Sequence, residues 1–362
     1  MNKPKVLITV TNDVAYDRRM HRIAATLDDA GYEVHRVGRL LTGPPDPKPG
    51  ITLLKCPFRQ GPLFYWWFNV QLYFFARRFN HDIHVSVDTD TLLAGLMVCF
   101  GRKKKLVYDS HEWFERTPEL LHAPFKRWLW FLLGRNGARR AVLRMTVSFT
   151  LANALEKSYG YPFEVIRNLP RYVSSVTGGQ LASRTIVYLG VLNAGRGLEM
   201  AIDALRELQG YRLKLVGEGD LSSKLRQQVR KLGLEDRVQF CGQVEPEQIE
   251  AELAGASFGF LMLDPASDSY QFSLANKFFD YVQAGLPVLC SSLPEYRALM
   301  ESHSVGMLIN EYSSESLITT LKKIDQNPSG YVDMLDACRA AAKDWCWETE
   351  APKLLKLFDR LR

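Results

Sequence analysis

Three observations predict two doubly wound α/β domains with parallel sheets, facing one another across a cleft. Short β-branched runs alternate with helical patterns along the whole chain, the order that parallel strands joined by crossover helices require. A length of 362 residues is long for one core and comfortable for two. A polar, Gly- and Ser-rich stretch from Arg171 to Ser183, with YVSSVTGGQLAS within it, reads as a linker. This gives a first domain over 1–170, a linker over 171–184, a second domain over 185–342 and a closing segment over 343–362. Ligands in such folds bind beyond the carboxyl ends of the strands.

In the first domain, strands are expected at Val6–Val10, Glu33–Val37, Ile83–Val87, Leu106–Tyr108 and Thr146–Ser148. A helix from about Tyr16 to Ala30 places Ile23, Ala24 and Leu27 on one face and stops at Gly31. In the second domain, strands fall at Thr185–Leu189, Leu213–Val216, Val238–Phe240, Phe258–Met262, Pro287–Cys290 and Met307–Ile309. The spacing from Leu274 to Ala284 predicts a helix with Phe278, Phe279 and Val282 on its apolar side, a stop at Gly285 and no continuation through Pro287. Trp345 and Trp347 read as packing anchors.

The six cysteines show no paired spacing and read as buried thiols in a reducing compartment. The N-terminus runs into a strand with no signal pattern, and no apolar run reaches the ~18 residues of a spanning helix. A cytoplasmic protein is expected. Residues 1–170 carry a balance of +10 and residues 171–362 a balance of −4. Nucleic acid is set aside, because the basic half holds no recognition motif. An anionic membrane surface, met peripherally from the cytoplasmic side, suits it better. Two aromatic segments, Pro62–Phe79 and Phe125–Arg144, have two readings: core-facing helices, or an interfacial patch that dips Trp and Phe and grips lipid with Arg and Lys.

The stretch YQFSLANKFFDYVQAGLPVL, Tyr270 to Leu289, is the most informative. A helix opening presents free N–H groups and the positive end of its dipole to a phosphate. Lys277 adds a cation in that first turn, where the dipole disfavours one unless an anion is present. Asp280, one turn later, is placed to take hydroxyl hydrogen bonds from a ribose. The stretch resembles the donor-binding segment of retaining glycosyltransferases of the GT-B fold, glycosyltransferase family 4. Asp280 stands where that family has the second glutamate of its E-x7-E motif, and Phe272 stands where it has the first. Ser273, Leu274, Asn276 and Lys277 match the S-L-x-N-K lead-in of a sub-branch.

The other matches follow in the family's order. The loop Thr11–Arg19 lacks the family's glycines; Asn12 and Asp13 are good turn and cap residues there, and the resemblance puts them on the acceptor side. YDSHEWFE, Tyr108 to Glu115, ends a strand; it resembles the strand-end histidine beside the donor sugar, which implies that role for His111 and an acceptor-side role for Glu112. A metal reading of Asp109, His111 and Glu112 is discounted, because three ligands in four residues on a turn suit a tetrahedral site poorly. Asn168 of VIRNLP matches the asparagine of the family's V-I-P-N-G turn. YLGVLNAGRGLEM resembles the loop under the donor diphosphate, with Gly190 allowing close approach and Arg196 as its cation; Val191 replaces the family's earlier arginine. Gly217 and Glu218 form a second strand–glycine–helix turn, and Val244 falls in the segment that lines the nucleobase pocket. The closing segment resembles the family's last helix, which crosses back to the first domain.

The resemblance implies transfer of a sugar from a nucleotide-diphosphate sugar, bound by the second domain, to a saccharide or lipid-linked acceptor on the first, in cell-surface polysaccharide or glycoconjugate synthesis. It implies retention of configuration, His111 and Asp280 as the residues closest to catalysis, no metal, and no cofactor beyond the donor. Two alternatives stay open: a nucleotide-sugar epimerase of the same fold, and a non-catalytic homologue that binds a nucleotide sugar or a partner.

Overall fold

A computed structural model describes residues 3–14, 17–41, 49–117, 120, 123–174, 178–245 and 248–362. Tyr16 at the expected start of the first helix, residues 175–177 of the linker and residues 246–247 lie outside the described residues. Contacts divide the chain into one unit of Met1–Asn168 with Thr349–Arg362, and another of Leu169–Glu348. The division therefore falls at Asn168, two residues before the expected boundary, and residues 171–184 count with the second unit.

The first unit contains β1 (Lys5–Thr9), α1 (Arg18–Asp29), β2 (Glu33–Arg39), β3 (Ile51–Leu54), α2 (Pro62–Arg78), β4 (Ile83–Val87), α3 (Leu92–Cys99), β5 (Lys105–Ser110), α4 (Pro124–Arg140), β6 (Leu143–Thr146), α5 (Phe149–Tyr159) and β7 (Glu164–Val165). Its strands form one seven-stranded sheet in the order β3-β2-β1-β4-β5-β6-β7, every pair parallel. The helices α2, α3, α4 and α5 lie side by side. Asp17 opens α1 by accepting the Met20 N–H at 3.0 Å, and Ile23, Ala24 and Leu27 are buried as the periodicity predicts. The chain end joins this unit: Phe358 meets Tyr32 edge-on at 6.1 Å, and the buried Glu350 carboxylate accepts the Arg167 N–H at 2.9 Å.

The second unit contains β8 (Thr185–Leu189), α6 (Leu198–Ala204), β9 (Arg212–Val216), α7 (Ser222–Leu232), β10 (Val238–Gly242), α8 (Ile249–Leu253), β11 (Phe258–Leu261), α9 (Asp268–Gln271), α10 (Asn276–Gln283), β12 (Val288–Ser291), α11 (Pro294–Ser302), β13 (Gly306–Ile309), α12 (Ser314–Gln326) and α13 (Pro328–Asp344). A last helix, α14 (Trp347–Asp359), begins here and ends in the first unit. The sheet runs β10-β9-β8-β11-β12-β13, again all parallel.

Three local expectations change. The strand expected at Thr146–Ser148 is β6, Leu143–Thr146; Ser148 instead caps α5, accepting the Leu151 N–H at 3.2 Å. The strands β3 and β7 were not expected. The helix expected from Leu274 opens at Asn276, and Gly285 follows the Ala284 cap, two positions past the last helical residue, at φ +67°, the left-handed conformation that glycine supplies without strain.

Trp345 packs against Phe278 and Phe279, with both ring centroids at 5.8 Å, and is 6% exposed. Trp345→Ala is expected to destabilise the second unit by about 3–5 kcal/mol in urea unfolding. Trp128→Ala, at a residue 53% exposed, should stay within about 0.5 kcal/mol of the native chain.

Candidate active site

Each sheet reverses its order of growth once, between β1 and β4 and between β8 and β11. At such a point the loops leaving the carboxyl ends diverge and open a crevice. The sequence-predicted residues lie beyond the carboxyl ends of the strands or in and just before α10, one set on each unit.

On the first unit, Arg19 in the first turn of α1 is buried and holds Asp109 at the end of β5, with Nη2 at 3.1 and 3.3 Å from the two carboxylate oxygens. Its Nη1 donates to the Ile166 carbonyl at 2.9 Å. The Nε2 of His111 lies 3.0 Å from Arg19 Nε and 3.0 Å from Asp109 Oδ2. One ring nitrogen cannot accept from the guanidinium and donate to the carboxylate at once. The neutral imidazole takes the arginine N–H, and the imidazolium gives its own N–H to Asp109. The His111 backbone N–H donates to Asp88 Oδ1 at 2.7 Å. Burial alone would lower the His111 pKa, but Asp109 and then Asp88 overcome it and raise the value above the ordinary 6.5. Burial also pushes Asp109 up, yet Arg19 and His111 outweigh it and hold this carboxyl well below the usual range.

Asp88 and Asp90 come from the turn after β4. Asp88 takes φ +56°, a conformation non-glycine residues adopt at a cost of about 1–3 kcal/mol. Asp90 is buried; its Oδ2 accepts the Thr11 hydroxyl at 2.5 Å, and its Oδ1 has no hydrogen-bond partner among the described residues. Burial, then the charge of Asp88, push its pKa up to about 8. Asn12 is exposed, its Oδ1 accepting the Asp13 N–H at 2.8 Å, while Asp13 is buried. Glu112 is exposed, and its carbonyl accepts the Ser110 hydroxyl at 3.0 Å.

On the second unit, the loops after β8 and β9 touch through their backbones. A Cβ on Gly217 would stand 2.0 Å from the Gly190 carbonyl oxygen, so no side chain fits there. Lys277, the second residue of α10, lays its Nζ 3.9 Å from the ring centroid of Tyr188. A Cβ on Gly190 would meet that ammonium at 2.9 Å. Arg196 lies 5.0 Å over the Tyr270 ring, and its buried Nε has no hydrogen-bond partner among the described residues. Burial, then Arg196, push the Lys277 pKa well below the ordinary 10.5, against the pull of Asp280. Among the described residues no side chain caps α10.

The remaining predicted residues are less central. Ser273 donates its hydroxyl to the Tyr270 carbonyl at 3.1 Å, and Leu274 and Val244 pack on the apolar core. Asn276 opens α10 and Asp280 follows one turn later, half-buried. Glu218 is exposed and pairs with Arg226 at 3.2 Å; Ser222, then Arg226, hold its pKa low. The sequence reading did not single out Arg19, Asp88, Asp90, Tyr188 or Tyr270. The one signal available was the run of two aspartates, D-T-D-T, directly after a strand.

Removing one partner of the Arg19–Asp109 pair leaves a buried charge uncompensated. Arg19→Met or Asp109→Asn is expected to cost about 3–5 kcal/mol in thermal or urea unfolding, and the double change Arg19→Met with Asp109→Leu to recover much of that loss.

Residues 17–174 match the family model described as Glycosyltransferase Family 4, and residues 183–327 match that described as Glycosyl transferases group 1. The chain is 22% identical over 248 residues to a phosphatidyl-myo-inositol mannosyltransferase of Mycobacterium leprae, covering 67% of this chain and 63% of that one. It is 25% identical over 201 residues to WcaL of Escherichia coli, a glycosyltransferase named for colanic acid biosynthesis, covering 52% of this chain and 48% of that one. The match thus spans from about half to under two thirds of the length of these relatives. Among solved structures, Anabaena HepE in complex with UDP and glucose superposes with a TM-score of 0.75 at 16% identity, over 99% of this chain and 100% of that one. With two parallel sheets of this order and a glycosyltransferase domain matched on each, the chain belongs to the glycosyltransferases by family and has the GT-B fold of two Rossmann-like domains.

Proposed function

We propose that the protein is a retaining glycosyltransferase that takes a sugar from a nucleotide-diphosphate sugar held by its second unit and passes it to a saccharide or lipid-linked acceptor. The observation that carries this reading is Lys277 set against the glycine turn after β8, with Arg196 of the same loop close enough to act on its charge. A half-buried ammonium beside a guanidinium is unfavourable by itself, and a diphosphate supplies the missing charge. The glycine turns let phosphate oxygens approach the backbone, and the opening of α10 adds its dipole. Asp280, one turn along α10, suits the ribose hydroxyls, with Val244 and Glu218 toward the base.

Catalysis in this reading rests on positioning and on stabilising the departing diphosphate with preorganised donors. A donor phosphate oxygen accepts the acceptor's proton, so no side-chain base and no metal is invoked. His111 contacts the transferred sugar, and the Arg19–Asp109 pair fixes its ring. Asn12, Asp13 and Glu112 fall on the acceptor side. The relatives support both acceptor classes, one being named for a phosphatidylinositol and the other for a polysaccharide. The six free cysteines suit the cytoplasm.

Lys277→Met and Arg196→Ala should each weaken nucleotide-diphosphate binding by about 10- to 100-fold in calorimetry, the worth of a charged hydrogen bond. The same experiment carries a pH signature. The Lys277 pKa is depressed in the free protein, so the amine loses its proton at lower pH than an ordinary lysine; a bound diphosphate draws the value back up. Binding therefore takes up protons in the window between the two values and weakens as pH rises through the upper one. Repeating the titration in buffers of different ionisation enthalpy reads that uptake, and Lys277→Met should abolish it. Unchanged affinity in both variants would remove the diphosphate from this pocket.

Substituting His111 tests the other unit. If His111 acts mainly on the transition state, His111→Ala lowers kcat and kcat/KM together, while nucleotide affinity stays close to that of the native chain. A preserved kcat with lost affinity makes it a ground-state contact only. The substrate for these assays comes from a thermal-shift screen of UDP-, GDP- and ADP-sugars, since a ligand that binds only the folded state raises its stability.

A further inference from the structure

The helix α2 is apolar on all sides. Phe64, Phe68 and Leu72 face the core, and Leu63, Trp66, Trp67 and Phe74 repeat at helical spacing on the opposite, exposed side. The same pattern recurs on its neighbours. On α3, Leu93 and Met97 are exposed, as is Phe100 at its cap, while Leu92, Ala94 and Val98 are buried. On α4, Phe125, Trp128 and Leu129 are exposed. The exposures are large: 58% for Trp66, 67% for Phe100, 69% for Phe125. Side chains of this size in scattered positions need no explanation, but three adjacent helices carrying them on one layer form a continuous face.

The charge on that layer has one sign. The helices α2, α3 and α4 hold seven Lys and Arg and no Asp or Glu. Each joins one strand of a parallel sheet to a later one, so all three run in the same direction. Their carboxyl ends share an edge, and the arginines gather there: Arg77 and Arg78 in the last turn of α2, Arg139 and Arg140 in that of α4, with Arg102 and Lys103 just past α3. Arg140 ties two of these ends together, lying 5.2 Å over the ring of Phe100. The aromatic stripe therefore has a cationic border along one side.

We propose that the outer face of α2, α3 and α4 docks on an anionic lipid bilayer. Trp66, Trp67, Phe125 and Trp128 enter the headgroup boundary, and the arginines at the helix ends rest on lipid phosphates. No helix of the described residues is long and apolar enough to cross a membrane, so attachment is interfacial and reversible. A second copy of the chain is a poorer occupant, because two-fold pairing of this face sets cations against cations. The proposal stands on the first unit alone and does not depend on the donor site.

The test uses the full chain with vesicles of phosphatidylcholine alone and of phosphatidylcholine mixed with phosphatidylglycerol. Co-sedimentation should be at least about tenfold stronger with the mixed vesicles at low salt and should fall as salt is raised. Brominated lipid should quench tryptophan emission on binding, and Trp66→Ser with Trp128→Ser should remove most of that quenching. Charge reversal of Lys126, Arg127, Arg139 and Arg140 to Glu should release the protein, whereas Arg230→Glu with Lys231→Glu, at the exposed end of α7, should not. These side chains lie at the surface, and unchanged thermal unfolding confirms the folded state of each variant. Quenching of the native chain needs no variant at all. Equal binding to neutral and anionic vesicles, binding without quenching, or no binding to either overturns the proposal. So does concentration-dependent dimerisation that Trp66→Ser abolishes, which would give the face to a second copy.

Discussion

A strand in a parallel sheet cannot return to its neighbour through a tight turn; the chain must cross over, nearly always with one handedness. Most of what is distinctive here follows from that constraint. Within each sheet every strand points the same way, so its carboxyl ends share one edge. The end of β5 with Asp109 and the loops that carry Thr11, Asp88, Asp90 and His111 meet at that edge of the first sheet, and the loops that carry Gly190, Arg196 and Gly217 meet at that edge of the second. The crossover helices run the opposite way, so their carboxyl ends, with the cations that their dipoles favour, collect at the other edge. Chemistry at one edge and cations at the opposite one are two consequences of one connectivity.

The two candidate sites handle buried charge in opposite ways. On the first unit, Arg19 and Asp109 neutralise one another within 3.1 Å, and His111 shares their hydrogen bonds. That arrangement is complete without a ligand, and its worth is orientation: it fixes where the imidazole lies and which partner takes its proton. On the second unit, Lys277 and Arg196 crowd two cations against aromatic rings, and burial depresses the lysine. An arrangement of that kind costs stability when empty and favours an anion when one arrives. Pre-payment of desolvation and orientation is what a binding site for a diphosphate requires.

Much of this was legible in the residues, and the failures have physical causes. The order of strands and helices was readable because their periods differ, and α10 was placed within two residues by its apolar spacing and its terminal glycine. The strand β6 was displaced because Thr146, Val147 and Ser148 have better strand propensity than Leu143 to Met145, while the hydroxyl of Ser148 had a stronger local use as a cap. The strands β3 and β7 are a few residues long at or near the sheet edges, where little apolar pattern is needed. For α2 and α4, periodicity held no answer. α2 is apolar all round and α4 mixes Trp, Leu and Arg on every side, so neither has a preferred face in its sequence, and only packing shows that Phe64 is inside and Trp66 outside. For Asp90 the D-T-D-T run was the one signal, because its raised pKa comes first from burial and then from the charge of Asp88, and that burial is a product of the fold.

The departures from the family's donor motif bear on the same charge balance. Phe272 replaces a glutamate and Val191 replaces an arginine, so one charge of each sign is missing. Phe272 ends the short helix α9, and Val191 is an exposed apolar residue in the loop beside Gly190. Had only the glutamate been lost, Lys277 and Arg196 would face a surplus of positive charge; had only the arginine been lost, a carboxylate would face the incoming phosphates. Losing both leaves the net charge of the pocket as the motif has it. In the proposed donor site, the remaining cations, Arg196 and Lys277, and the remaining carboxylate, Asp280, would carry alone what the family's motif spreads over five groups. Each of the three should therefore be less replaceable here than its counterpart in a chain with the full motif.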